Sequence, residues 1–198
     1  MTPDQQPPTF EGSELHIHVS GSISASLVPW WIHWLRYTNP DVVVNLSVSE
    51  NAHRFVSVDA LDHLANGEVW SDSWSSPSLT SGWRLGGTGR SQCIIVFPAT
   101  LDTVMRLSQG RADTPALMMM QITNLPIVIA EVSPAENEVI GFWREILLRR
   151  SNVSFAPEVE GTRADDRSTA RNGFNFPGAL AVVNAALSTA ERRGRGQA

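Results

Sequence analysis

Leu15-His16-Ile17-His18-Val19-Ser20-Gly21-Ser22-Ile23-Ser24 decides the fold of this chain. Its first half alternates like a buried strand, and its second half is a tight turn that leads into a helix. Leu27, Trp30, Trp31, Trp34 and Leu35 then recur at helical spacing, so the segment to about Tyr37 packs one face on a sheet. Pro29 places the start of the regular helix close to itself, or else kinks the first turns. The same alternation continues outward. Val42-Val43-Val44-Asn45-Leu46-Ser47-Val48 is a β-branched run suited to a parallel strand covered on both sides, and a helix is expected from about Asn51 to Ala65. Asn66 to Gln92, rich in Ser, Gly and Trp, shows no sustained period and reads as irregular. Cys93 to Phe97 is the next strand, followed by helices over Pro98–Gln109 and Ala116–Gln121. Pro126 to Ala130 is a further strand, Pro134 to Arg149 a helix, and Val153-Ser154-Phe155 a short last strand. Gly161 to Asn175 reads as a polar loop and Pro177 to Arg193 as the final helix. Strands alternating with helices predict an α/β fold: a doubly wound parallel sheet in a three-layer, flavodoxin- or Rossmann-like sandwich. The whole chain is expected to form one domain, with residues 1–13 disordered and 194–198 frayed.

Composition narrows the chemistry. All 15 basic side chains are Arg, so no lysine is available for a P-loop, a Schiff base or amine catalysis. One cysteine makes neither an intrachain disulfide nor a cysteine-rich zinc site. A net charge of −5 argues against nucleic acid as a partner. No apolar run approaches the roughly 18 to 20 residues that cross a bilayer, and the polar, Pro-rich start does not resemble a signal peptide. The expectation is a cytoplasmic protein with no membrane partner and no metal.

In a doubly wound sheet, ligands sit outside the carboxyl ends of the strands. Gly21, Ser22, Ile23 and Ser24 form a turn whose glycine permits close approach and whose hydroxyls suit an anion, although a plain helix cap explains them about as well. Ser47 and Ser49 end the second strand and offer further donors for a phosphate or ribityl chain. Together these suggest a mononucleotide; GxGxxG, the dinucleotide signature, is absent here. Gly86 to Ser91 precedes a strand and reads as a linker. His16 and His18 share a strand face and read as structural. Cys93 reads as an inert buried thiol.

Two blocks are more specific: Phe97-Pro98-Ala99-Thr100-Leu101-Asp102-Thr103, and Ser133-Pro134-Ala135-Glu136-Asn137-Glu138. With Gly110-Arg111-Ala112-Asp113-Thr114 between them, and with Gly21 to Ala25 and Ser49 to Phe55 before them, they resemble the homo-oligomeric flavin-containing cysteine decarboxylases. The two blocks correspond to that family's "PASANT" and "PxMNxxMW" motifs, and the resemblance runs in order over about Leu15 to Pro157. It implies FMN as cofactor and a lyase or oxidoreductase that oxidatively decarboxylates a cysteine. The peptide-modifying branch, which includes epidermin-, linaridin- and thioviridamide-type enzymes of ribosomal peptide biosynthesis, converts the C-terminal cysteine of a precursor peptide to an aminoenethiol, the forerunner of aminovinyl-cysteine. The resemblance further implies that Asn137 holds the substrate carboxylate and that Asp102 lies beside the flavin. Pro98, Ala99, Thr100 and Thr103 would line the ring, and Phe55 would belong to the cofactor block of the second strand. Met120, Arg163 and Arg167 are expected on the substrate side, the last two in a flap over residues 161–175.

Two departures matter. The family's catalytic histidine falls at Arg84, so that Arg84, His53 and His63 are the candidates for its role. The flap has no cysteine, which disfavours phosphopantothenoylcysteine decarboxylase, the alternative enzyme. A non-catalytic flavin-binding regulatory subunit is the alternative from another class. Trp30, Trp31 and Trp34 exceed what one helix face buries, which suggests a homo-oligomer, a trimer or dodecamer as in the family.

Overall fold

A computed structural model describes residues 8–76, 91–132, 137–162 and 169–195. Six parallel strands form one sheet in the order β3-β2-β1-β4-β5-β6: β1 Glu14–Val19, β2 Val43–Ser49, β3 Val69–Asp72, β4 Ile94–Ala99, β5 Ile127–Glu131 and β6 Val153–Phe155. Among the described residues the α-helices are α1 Val28–Thr38, α2 Val58–Leu64, α3 Leu101–Ser108, α4 Pro115–Ile122, α5 Glu138–Leu148 and α6 Phe176–Arg195.

Alternation along the strands produces two core layers. Leu15, Ile17 and Val19 of β1, with Val44, Leu46 and Val48 of β2, face α1, α2 and α6 through Ile32, Leu35, Leu61 and Leu180. Ile94 and Val96 of β4, with Ile127 and Ile129 of β5, face Val104, Leu107, Leu117 and Leu147 of α3, α4 and α5. Each such side chain contributes about 1.5–3 kcal/mol on burial. Apart from Val43, residues of opposite parity on β1 and β2 are polar, among them His16, His18, Asn45 and Ser47. This interruption of the second layer lies beside the site described below.

Pro29 occupies the first turn of α1, where a missing N–H costs no hydrogen bond, and a 3-10 helix over Ile23–Leu27 precedes it. Elsewhere the sequence expectations need correction. The single helix from Asn51 to Ala65 is a 3-10 helix over Glu50–Arg54 followed by α2, because Ser57 caps a new start by accepting from the Ala60 N–H. The stretch read as irregular contains β3, an edge strand whose buried Trp70 and Asp72 alternate with Val69 and Ser71. Residues 77–90 of that stretch lie outside the described residues. Pro98 belongs to β4, and α3 begins only after Thr100. The expected flap loop is bordered by an antiparallel pair, β7 Val159–Thr162 and β8 Thr169–Asn172. The start of the chain is also tied down from Thr9 onward. Asn39 Oδ1 accepts from the Phe10 N–H at 2.7 Å, Asn184 Oδ1 accepts from the Glu11 N–H at 3.0 Å, and Phe10 is buried.

Candidate functional site

Strand β1 has β2 on one side and β4 on the other, so the chain reverses its winding direction between β1 and β4. Such a switch point leaves a crevice at the carboxyl ends of the two strands. Ser20 joins its walls: the Ser20 hydroxyl donates to Pro98 O at 2.7 Å and accepts from the Thr100 N–H at 2.8 Å. Beyond it Gly21 passes against the 3-10 helix. A Cβ there would lie 2.5 Å from Asn51 Cβ and 2.7 Å from the Asn51 carbonyl carbon, so the turn requires glycine for close approach.

The crevice encloses about 250 Å³. Gly21, Ser49, Glu50 and Asn51 form one wall; Thr100, Asp102, Thr103 and Arg106 form another; His18, Asp72, Thr114 and Leu117 complete it. Helix caps fix several of these groups. Ser49 accepts from the Ala52 N–H, Thr100 from the Thr103 N–H and Thr114 from the Leu117 N–H. Asp72, buried at the end of β3, accepts from the Ala116 N–H at 2.8 Å and so ties α4 to the sheet edge. Arg106 forms ion pairs with Asp113 at 2.8 Å and Asp102 at 3.5 Å.

Beneath this wall lies a buried polar chain. Ser47 Oγ is 2.8 Å from His16 Nε2 and 2.9 Å from His18 Nδ1, and the His16 ring packs against Trp70. Burial lowers the pKa of His16 to about 3, with His18 adding to the effect. His18 is also lowered: burial dominates, nearby Asp72 opposes it and Arg106 assists it. Both rings are therefore neutral at physiological pH. Because Ser47 occupies Nδ1 of His18, Nε2 is the ring atom left for the crevice.

The sequence-predicted residues separate into three groups. Gly21, Ser49, Thr100, Asp102 and Thr103 meet on the crevice wall. Ser47 does not: its hydroxyl is fully buried and engaged with the two histidines, which corrects its expected role as a phosphate donor. Met120 is fully buried in the core layer under α4, so the expected substrate contact is corrected as well. Phe55 packs on the opposite core layer, and Ala99 is enclosed beside Val96; Pro98 contributes its carbonyl to Ser20. Ile23 is exposed and Ser24 half-buried, neither on the wall. Asn137 is exposed at the start of α5, where its Oδ1 caps the helix by accepting from the Ile140 N–H at 3.0 Å. Arg84, Arg163, Arg167 and residues 133–136 of the second motif lie outside the described residues. His53 contacts Ser71 and His63 Nδ1–H donates to Asp59 O on α2; neither lines the crevice. His18, Asp72, Arg106 and Thr114 were not predicted. The period-two spacing of His16 and His18 was the available signal for a polar strand face.

The residues fit a phosphorylated, hydroxyl-rich cofactor such as FMN. Ser22 sits at the N-cap of the 3-10 helix without capping it, and its buried Oγ has no hydrogen-bond partner. A buried hydroxyl without a partner costs about 1–3 kcal/mol unless a ligand satisfies it. Ser22 is thus placed to meet a phosphate at the Gly21 turn, and Ser49, Asn51 and Thr100 offer partners for a polyol chain. Among the described residues no cluster of three or more His, Cys, Asp or Glu could hold a metal, and no helix is long and apolar enough to cross a membrane. Burial pushes the Cys93 thiol up to about 12, which leaves it without thiolate character.

Comparison with known proteins agrees with this geometry. The family model described as Flavoprotein matches residues 5–151. A Streptomyces sp cypemycin cysteine dehydrogenase (decarboxylating) is 59% identical over 175 residues, which cover 88% of this chain and 92% of that protein. The crystal structure of the cypemycin decarboxylase CypD superposes with a TM-score of 0.83 at 53% identity, covering 93% of this chain and 99% of that one. The FMN-dependent cysteine decarboxylase TvaF from thioviridamide biosynthesis shares the fold at 20% identity, with a TM-score of 0.66 over 89% of this chain and 98% of its own.

Proposed function

The chain belongs to the Flavoprotein family, and from that premise we propose that it is an FMN-dependent peptidyl-cysteine decarboxylase acting on the C-terminal cysteine of a precursor peptide. The observation that carries this reading is the switch-point crevice, with its required Gly21 and its Thr100–Thr103 wall, together with the unsatisfied hydroxyl of Ser22, the residue that follows Gly21. The 59% identity to a decarboxylating cysteine dehydrogenase supports the activity.

When bound, FMN would supply a two-electron oxidant for the cysteine side chain, whose Cβ loses a hydride as the thiol gives up its proton. The substrate is then a thioaldehyde. Its C–CO2 bond breaks as the electron pair moves into C=S, and one proton completes the enethiol. In this scheme Gly21, Ser22, Ser49 and Asn51 would hold the phosphate and polyol, while Thr100, Asp102 and Thr103 would border the ring. Asn137 donates from its amide to the leaving carboxylate without adding charge; its oxygen is already committed to the helix cap. Arg84 stands where the family places its histidine. Of the five histidines, His18 is the one on the crevice wall, and its Nε2 is available to hold or pass a proton there.

The protein is proposed to assemble as a homo-oligomer, a trimer or dodecamer. Trp31 and Trp34 are partly buried against Phe97 and Phe176, but Ile23, Leu27 and Trp30 remain exposed on the adjoining turn and helix. A monomer in light scattering at micromolar concentration would refute this. For the activity, the purified protein is incubated with FMN and a synthetic peptide ending in cysteine. The expected product has lost the mass of CO2 and two hydrogens; failure to bind FMN after reconstitution would reject the assignment.

A further inference from the structure

A second cavity of about 250 Å³ opens at the far end of the same carboxyl edge, between α5 and the β7–β8 pair. Its deepest polar group is Glu131, the last residue of β5, which is only 5% exposed. Glu131 Oε2 accepts from Arg144 Nε at 2.7 Å, and the Arg144 guanidinium lies over the Phe155 ring, 5.9 Å from its centroid. Glu131 Oε1, equally buried, has no hydrogen-bond partner. A buried carboxylate oxygen without a donor is costly, more so than a neutral group, and points to a missing donor. The Gly173 N–H donates to Glu131 O at 2.7 Å, and a Cβ on Gly173 would lie 2.9 Å from Glu131 N, so the end of the hairpin is clamped on the end of β5.

The lining identifies the donor. Glu131 and Glu158 are balanced by Arg144 and Arg171, and Arg144 already neutralises Glu131. A second cation would meet Arg144 and an anion would meet Glu131, which leaves an uncharged donor, and a peptide carries one in the backbone N–H of each residue other than proline. Leu148, Phe155 and Ala156 supply apolar walls. A space of about 250 Å³ is large enough for one amino-acid residue. Asn137 and Arg144 are seven residues apart on α5, about 10 Å at 1.5 Å per residue, which an extended peptide spans in about three residues.

We propose that this cavity is a subsite for one uncharged residue of the precursor peptide, two to four positions before its C-terminal cysteine, with that residue's backbone N–H donating to Glu131 Oε1. The proposal rests on the peptide-decarboxylase reading. The test uses the FMN-loaded enzyme and a Cys-terminal peptide in which each upstream amide is replaced in turn by an ester, which removes one N–H. One ester within that window is expected to raise KM about tenfold with kcat unchanged, the loss of a hydrogen bond to a charged acceptor. In Glu131→Gln the same ester should raise KM threefold or less, because the acceptor is now neutral. Leu148→Trp, at the exposed rim, should raise KM severalfold for the all-amide peptide and keeps the test open if Glu131→Gln does not fold. A flat ester scan, an ester penalty undiminished in Glu131→Gln, or an unchanged KM in Leu148→Trp would each overturn the subsite. Failure of the wild-type enzyme to decarboxylate any Cys-terminal peptide would instead overturn the reading on which it rests.

Discussion

The two cavities at the carboxyl edge of the sheet have similar volumes and opposite constructions. The first, at the β1/β4 switch point, is made largely from turns and helix starts: Gly21, Ser49, Thr100, Thr103 and Thr114 occupy short local segments whose geometry follows from neighbouring residues. The second is made from single side chains on β5, α5, β6 and the hairpin, joined by one buried ion pair. A site built from backbone turns suits a group common to many proteins, such as a phosphate. One built from scattered side chains can differ between relatives without disturbing the fold, as a site for a particular peptide requires.

The largest effect should come from removing the first cavity while sparing the second. Gly21→Ala places a methyl group under 3 Å from both the Asn51 side chain and its backbone, so the turn must shift. The purified variant is expected to lose its bound flavin on gel filtration. With FMN restored in excess, its KM for the peptide should match the wild type, since nothing in the second cavity touches Gly21. Full flavin retention would show that the turn does not shape the cofactor site.

The same contrast explains what was legible in the sequence. β1, the Gly21 turn, α1, β4 and β5 are visible because strand alternation, a Pro in the first helical turn and β-branched runs are local signals. β3 escaped because four residues at a sheet edge carry only two buried positions, Trp70 and Asp72. The tethering of Thr9 to Glu11 depends on amide side chains of Asn39 and Asn184, distant in the chain and without any pattern. Ser47 was read as an edge donor because a serine near a strand end is ambiguous. Only the pairing of β1 with β2, which sets Ser47 opposite His18, turns it into a buried bridge. Glu131 was marked only by its place at the carboxyl end of a strand, since its particular role arises from Arg144, Phe155 and Gly173 together.

Asn137 caps α5, and the proposed function adds a second purpose that substitutions separate from the first. Asn137→Ala removes both the cap and the amide donor. It should lower turnover about a hundredfold, as loss of a key donor does, and destabilise α5 by about 1 kcal/mol. Asn137→Asp keeps an equally good cap but sets a negative charge against the substrate carboxylate, so its melting temperature should stay near wild type while turnover falls as far. Both should retain FMN. An aspartate variant with normal turnover would reduce Asn137 to a helix cap and leave carboxylate binding to other residues.

The smallest effect is a slope, and it probes the floor of the first cavity. His16 has a folded pKa of about 3 against an ordinary 6.5, so below pH 6.5 the unfolded chain binds a proton that the folded chain refuses. Its contribution is thus fully present above pH 6.5 and is lost as the pH falls toward 3, by about 1.4 kcal/mol per pH unit at most. Other groups, the carboxylates among them, also titrate in acid, so the informative quantity is the difference between wild type and His16→Leu. The substitution leaves Ser47 bonded to His18 and removes only this titration. Between pH 6.5 and 5 the wild type should lose stability more steeply than His16→Leu in denaturant melts, and the two slopes should agree above pH 7. Parallel curves across the whole range would mean that His16 is protonated in the folded protein. Ser47 would then have to accept from the His16 Nε2–H, and the neutral floor inferred for the first cavity would be wrong.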